Sequence, residues 1–364
     1  RLVGIIDADD ARQSMAYDRW GNLVMVTGRD GSTTLTEYDD RGRRVRQVTP
    51  SGADLQWAYD EADRVTTVIA EAGTVTTYRY TGDSRNPCEL VDPTGGVTLM
   101  DWADGLLARI TDPAGVVVGF GYDEHGDLIA TTDAQGNTAR LERDTAGRVT
   151  AAITPMGHRT SYTYHANGTL ASRRNPDGGI WRYEHTAAGR LAGIIDPLGG
   201  RTVIEHGPHG EESRTIDPLG RAVTRQLDDL GNLAAVELPD GSTWQFSHDA
   251  LSRLRSSVDP SGGVWTREYD ADGGLTRSTD PTGAGVQVST DPANGTIRVS
   301  DGLVDQIVGF DPLGRPIGHS DPATQASVMA VHDACGRPVE LLDAEGQLTK
   351  IERDPAGRVT TVIS

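Results

Sequence analysis

One motif recurs in frame along the whole chain, and it limits what the chain can fold into. Taking Tyr17-Asp18-x-x-Gly21-Asn22-Leu23 as the template, the frame returns at Tyr38, Tyr59, Tyr80, Asp101, Tyr122, Arg143, Tyr164, His185, His206, Leu227, His248, Tyr269 and Thr290, each 21 residues after the last. It slips to Phe310 and recovers at His332 and Arg353, which makes seventeen starts. Self-similarity at a fixed period marks a repeat architecture, in which each unit buries surface only against its neighbours. Residues 1–364 are therefore expected to form a single array, since no linker or change of composition divides them. Arg1-Leu2 stand in the phase of Arg358-Val359, so both ends are expected to fall inside a repeat of a longer array.

Each period carries two turn signals. The first is Asp-x-x-Gly, which places Gly21, Gly42, Gly126 and Gly147 at the fourth turn position. The second is Asp-Pro-x-Gly, as in Asp112-Pro113-Ala114-Gly115 and Asp217-Pro218-Leu219-Gly220. Asp first, Pro second and Gly fourth are what a type I turn prefers: Asp bonds its own backbone, Pro presets φ, and Gly tolerates the exit conformation. Turns about ten residues apart leave about six or seven residues between them, which is strand length and too short for an ordinary helix.

The intervening segments read as strands. Bulky residues alternate before each repeat start, as in Trp57 and Tyr59, Tyr162 and Tyr164, or Trp181, Tyr183 and His185, with polar neighbours between them. Period two puts Tyr17, Tyr38, Tyr59, Tyr80, Tyr122, Tyr164, His185, His206, His248, Tyr269 and His332 on one face as a column running from repeat to repeat. An aliphatic residue recurs just after the first turn, for example Leu23, Val65, Val149 and Leu254. The fold class is all-β, with about 34 short strands. Paired repeats would match a propeller blade in size, but alternate repeats do not differ as inner and outer strands of a blade should. A parallel β-helix would need inward aliphatic ladders on each rung. One long antiparallel sheet, wound into a ribbon or shell by strand twist, fits the Gly-rich, charged and sparingly aromatic composition.

Tyr-Asp-x-x-Gly-Arg-Leu followed by Asp-Pro-x-Gly at a 21-residue period resembles the YD-repeat, or Rhs-repeat, family. His332-Asp333-Ala334-Cys335-Gly336-Arg337 and Arg353-Asp354-Pro355-Ala356-Gly357-Arg358-Val359 are close variants. The family includes bacterial polymorphic toxins, the cocoon-forming components of insecticidal Tc toxins, and animal teneurins. The resemblance implies a β-ribbon spiralling into a hollow shell that encloses a C-terminal effector, with flanking plug or core domains of the same polypeptide as partners. It also implies assembly in the producing cell, then secretion or display at the cell surface with a secretion-system or surface partner. Toxin members end their shell with aspartates in an Asp-Pro-x-Gly-Leu context that cut the effector free. Here the Asp-Pro-x-Gly turns are never followed by Leu (Gly199-Gly200 and Gly220-Arg221 are examples), so no protease residues are carried over.

Little else in the sequence points to chemistry. The net charge of −19 argues against nucleic acid or an anionic membrane as partner, and no apolar run approaches a membrane span. Nearly every Asp stands at a turn position. Asp7-Ala8-Asp9-Asp10 and Asp270-Ala271-Asp272-Gly273 lack the ligand ladder of a calcium loop. His206 and His209 lack a third ligand. In Ser247-His248-Asp249, adjacent strand residues point to opposite faces and cannot form a triad. Gly119-x-Gly121 precedes no phosphate-binding helix, and Asn167-Gly168-Thr169 and Asn294-Gly295-Thr296 read as turns. Cys88 and Cys335 read as free thiols. The expectation is a wall without catalytic, cofactor or metal residues. The alternative is an adhesion or glycan-binding module in which exposed Trp20, Trp102 and Trp265 stack on sugars.

Overall fold

The computed structural model describes residues 1–6, 12–28, 31–70, 73–270, 273–291, 294–322, 324 and 327–364. These contain 35 strands, from β1 (Gly4–Ile6) to β35 (Val359–Ile363), and no α-helix. All belong to one sheet, in which each strand pairs antiparallel with those before and after it in sequence. The sheet is an antiparallel meander, not a set of blades or a parallel β-helix. The turns that follow the column residues lie along one edge of this ribbon, and the alternate turns, where most of the Asp-Pro-x-Gly sequences fall, lie along the other.

Turn chemistry sets the register at both edges. At the second turn, Asp112 N–H donates to Val116 C=O (2.9 Å) and Gly115 N–H to Asp112 C=O (2.9 Å). Asp112 Oδ1 also accepts from the N–H groups of Ala114 and Val116. Gly115 has φ +81° and Gly220 φ +79°, as a type I turn closed by a left-handed residue requires.

The two ladders of a repeat differ in length. β2 (Arg12–Tyr17) and β3 (Leu23–Thr27) pair from Ser14–Thr27 to Tyr17–Leu23, with a bulge just before Tyr17. β3 and β4 (Thr33–Tyr38) pair only from Thr27–Thr33 to Met25–Leu35. Successive hairpins therefore part company toward the first-turn edge, and a bulge adds local twist. Such fanning curves the ribbon.

The regular 21-residue frame needs one correction. Tyr80 pairs with Pro87, one residue further on than in the other repeats, and the next column position is Trp102, not Asp101. A tight turn with φ +52° at Asp104 and +81° at Gly105 takes the extra residue back, so Tyr122 returns in phase. At the slip near Thr290, β28 (Gly285–Asp291), β29 (Thr296–Ser300) and β30 (Asp305–Phe310) form unbulged ladders.

No conventional core exists among the described residues. Ala53 and Ala151 are the buried apolar residues, and no large side chain is fully buried. In β6 (Asp54–Tyr59), Leu55, Trp57 and Tyr59 are half-buried while Gln56 and Ala58 are exposed. The half-buried face packs sideways, as where Trp244 stacks on Trp265 at 5.7 Å. On the opposite face, opposite charges meet across strands: Arg46 with Glu37 (3.1 Å) and Arg159 with Glu142 (2.6 Å).

The ribbon winds back onto itself. Ser51 Oγ donates to Pro312 C=O (2.6 Å), Cys335 Sγ lies 3.9 Å from Thr94 Oγ1, and Arg358 NH1 lies 3.2 Å from Asp112 Oδ2. These pairs are 241 to 261 residues apart, or about twelve repeats. First turns of the later coil seat on second turns of the earlier one.

Space around the glycines separates backbone from packing effects. A Cβ on Gly220 meets nothing within 4 Å, so Gly220→Ala is expected to cost about 1–2 kcal/mol through φ alone. Gly119 lies in a strand, and its nearest Cβ contact is 3.9 Å, so Gly119→Ala is expected to be neutral or stabilising. Urea unfolding of the two variants reads the difference directly.

Candidate functional site

The most repeated side-chain constellation lies along the first-turn edge. Where neighbouring hairpins part, the first carbonyl of the preceding strand loses its ladder partner. The column residue supplies one. Tyr38 hydroxyl donates to Leu23 C=O (3.1 Å), Tyr59 to Arg44 (2.7 Å), Tyr80 to Val65 (2.8 Å), Tyr122 to Leu107 (2.9 Å), Tyr164 to Val149 (2.6 Å) and Tyr269 to Leu254 (2.9 Å). Tyr17 does the same to Leu2 (2.6 Å). Every one of these bonds spans fifteen residues.

The non-tyrosine residues of the column obey the same logic. Trp102 Nε1 donates to Pro87 C=O (2.8 Å), and Arg143 and Arg353 reach Leu128 and Pro338 C=O (both 3.1 Å). Phe310 has no polar tip. There the ladder is complete, and its own backbone N–H reaches Gly295 C=O, again fifteen residues back (2.7 Å). The histidines occupy the same strand ends without making this bond. The buried Nδ1 atoms of His185 and His248 have no hydrogen-bond partner. Sequence reasoning placed this column on one face but missed the bond. The readable signal was that tyrosine and its donor-bearing substitutes outnumber Phe.

Where an Arg or Asn stands four residues on, the turn aspartate is committed on both oxygens. Asp60 Oδ1 accepts from the N–H groups of Ala62 and Arg64, and its Oδ2 from Arg64 Nε (2.7 Å). Asp39, Asp144, Asp217, Asp249, Asp333 and Asp354 hold the Arg four residues on in the same way. In Asp18, Asp133 and Asp228 an Asn replaces that Arg. Several of these arginines then lie over the next tyrosine of the column: Arg43 over Tyr59 and Arg64 over Tyr80 at 4.6 Å, and Arg148 over Tyr164 at 4.8 Å. Carboxylate, guanidinium, ring and carbonyl thus link one repeat to the next. Gly21, Gly42, Gly126 and Gly147 close these turns with φ between +77° and +99°.

The other candidates stay apart. Ser247 Oγ bonds Ser256 Oγ (2.7 Å), and Asp249 bonds Arg253, so neither approaches His248 as a triad would. His209 lies in a turn, and no group of three metal-ligating residues converges among the described residues. Asp7 to Asp10, and Asp272 in the second acidic cluster, lie outside the described residues. Trp102 and Trp265 are half-buried, contrary to the exposure expected of sugar platforms, because the first is tied to Pro87 and the second stacks on Trp244. Trp20 is 65% exposed, with Arg19 3.8 Å over its ring. Cys88 and Cys335 are free thiols.

Hydrogen bonds from the Arg64 backbone and side chain outweigh desolvation and hold Asp60 below its usual value of 3.8. The Arg148 side chain does this for Asp144 and the Asn137 side chain for Asp133. A carboxylate depressed in the fold stabilises it above the unfolded value and loses that contribution as pH falls through the folded value. The melting temperature followed by circular dichroism is therefore expected to be flat from pH 7 to about 5 and to fall steeply below about 4. Tyr164→Phe, which orphans Val149 C=O, is expected to cost about 1–3 kcal/mol at neutral pH. His248→Tyr, which offers a hydroxyl to Leu233 C=O, is expected to gain about 1 kcal/mol. Paired urea denaturation curves check both.

Comparison with known proteins agrees with this geometry. The RHS Repeat family model matches residues 17–54, 38–75, 59–97, 102–138, 143–180, 164–201, 228–256 and 248–284, which is well over half of the chain. Toxin protein Tse5 of Pseudomonas aeruginosa is 31% identical over 143 residues, 32% of this chain and 11% of that protein. Probable deoxyribonuclease RhsB of Dickeya dadantii is 28% identical over 142 residues, 33% of this chain and 10% of that protein. The chain thus spans about a tenth of the length of these relatives. Among solved structures, the Photorhabdus luminescens Tc holotoxin pore matches over 96% of this chain and 24% of its own, with a TM-score of 0.58 at 15% identity. That likeness shares the fold: a β-shell built from one winding sheet. The sequence match, the period and the winding sheet agree, and the chain belongs to the RHS-repeat family.

Proposed function

We propose that this segment is a stretch of wall that encloses a toxic effector domain lying outside it in the same polypeptide, and that the segment itself catalyses nothing. The observation that carries this reading is the return of the ribbon onto its own edge about twelve repeats on, through the contacts of Ser51, Thr94 and Asp112. A ribbon that closes on itself, with its backbone groups paired within the sheet, can separate a lumen from solvent. The half-buried aromatic face, where side chains crowd one another, lines the lumen in this reading. The face of paired charges and the net charge of −19 meet solvent and keep the wall soluble.

Three features support a role without chemistry. The turn carboxylates accept from backbone N–H groups and in many turns from a guanidinium as well, the Tyr, Trp and Arg column tips are tied to carbonyls, and the motif repeats without a unique constellation. Relatives named as a toxin and a probable deoxyribonuclease fit a wall that carries different cargoes, with secretion or surface display as the route. Flanking plug domains and a secretion-system or surface partner complete the proposal. Of the tryptophans on which a glycan-binding reading rested, two are engaged in the sheet, and no observation favours that reading over the wall.

Limited proteolysis of the full-length protein tests this proposal. The C-terminal domain is expected to survive at least about tenfold longer within the intact protein than when expressed alone. Equal digestion rates would contradict enclosure.

A further inference from the structure

Two arginines on the aromatic face occupy the same position of the repeat and meet different surroundings. Arg225 stands two residues before Leu227 of the column, and Arg267 two residues before Tyr269. Arg225 NH1 donates to Glu212 Oε1 (2.7 Å) and to Thr215 Oγ1 (3.1 Å). Two repeats on, Ser257 takes the place of Thr215 and keeps the hydroxyl, but Leu254 takes the place of Glu212. The carboxylate is gone. Arg267 NH1 is accordingly buried with no hydrogen-bond partner, although arginines on the charged face, such as Arg46 and Arg159, meet carboxylates. A buried guanidinium donor without an acceptor is costly to keep.

From this contrast we infer that Arg267 and Ser257 form a binding site for a carboxylate that reaches the sheet from elsewhere and takes the place Glu212 fills two repeats earlier. The surroundings favour such a ligand. Arg267 shares β26 (Val264–Tyr269), and by strand alternation one face, with Trp265. Trp244 stacks on Trp265 at 5.7 Å and on Phe246 at 6.5 Å. Ser257, 7% exposed, is the small residue between Phe246 and Trp265 in the ladder. An apolar wall beside a guanidinium excludes water and strengthens its pairing with an anion. It also rewards an apolar group next to that anion.

The ligand is thus an Asp or Glu side chain flanked by an aromatic or aliphatic one. This source rests on the reading of the aromatic face as the lumenal one, which makes the ligand a segment of the enclosed polypeptide.

Titration calorimetry of the 364-residue chain with acetyl-Phe-Glu-amide tests the site. The peptide is expected to bind, and acetyl-Phe-Gln-amide to bind at least about tenfold more weakly. Arg267→Gln should weaken binding of the Glu peptide by a similar factor, while Arg225→Gln leaves it unchanged. Leu254→Glu, which supplies the missing carboxylate from within, should also weaken binding, and should raise the urea midpoint of unfolding. No binding, or binding indifferent to Arg267→Gln or to the Gln peptide, would overturn the site. The full-length protein tests the source separately: the peptide is expected not to bind there, because the site faces the lumen. Binding to the full-length protein as tight as to the 364-residue chain would overturn the enclosed segment as ligand and leave the carboxylate site standing on an outer face.

Discussion

A sheet one layer thick has no interior, so what holds one repeat to the next must be repeated as often as the repeat. Here it is the bond from the tyrosine hydroxyl to a carbonyl fifteen residues earlier, backed by the turn aspartate and its arginine. The ladder between hairpins stops short at Met25–Leu35, and Tyr38 bridges the gap that follows. Where the ladder runs on, at β29 and β30, the column residue is Phe310 and needs no hydroxyl. Side chain and backbone thus exchange the same task. Each bond is worth only about 1 kcal/mol net, but an unpaired buried carbonyl costs more, and the penalty would recur along the array.

This arrangement explains why so few large residues suffice. The exposed cross-strand ion pairs contribute little singly, with a median below about 1 kcal/mol. Stability instead adds along the array as unit and nearest-neighbour terms, so a weak repeat is carried by strong ones. His185 and His248, with their unpartnered Nδ1 atoms, are such weak points. Tyr164 and Tyr269 lie one repeat beyond them on either side.

Much of this architecture was legible in the sequence. Asp112-Pro113-x-Gly115 states its turn because each residue type answers a local dihedral demand. Trp57 and Tyr59 state their face because strand geometry alternates. The strand count, the antiparallel meander and the family resemblance follow from the same period. What stayed hidden depends on neighbours. The bulge before most column residues arises between two strands, so the hydroxyl bond was not visible in any one of them. Trp102 replaced Asp101 as the column residue because an insertion after Tyr80 and a shortened turn at Asp104-Gly105 cancel, leaving the overall count intact. Trp265 reads in sequence as available for a ligand, but in the fold Trp244 stacks on it. The meeting of Thr94 with Cys335 spans 241 residues and follows from accumulated curvature, which no local pattern encodes.

That meeting makes the ribbon a wall rather than an extended strip, and it can be trapped chemically. In Thr94→Cys the new thiol would face Cys335 across the contact between coils. Under mild oxidation the variant should form an intrachain disulfide joining residues 94 and 335, identified by peptide mapping of the monomer, with Cys88 left as a free thiol. Failure of that bond to form within single molecules, or its formation only between molecules, would contradict a ribbon wound back upon its own edge.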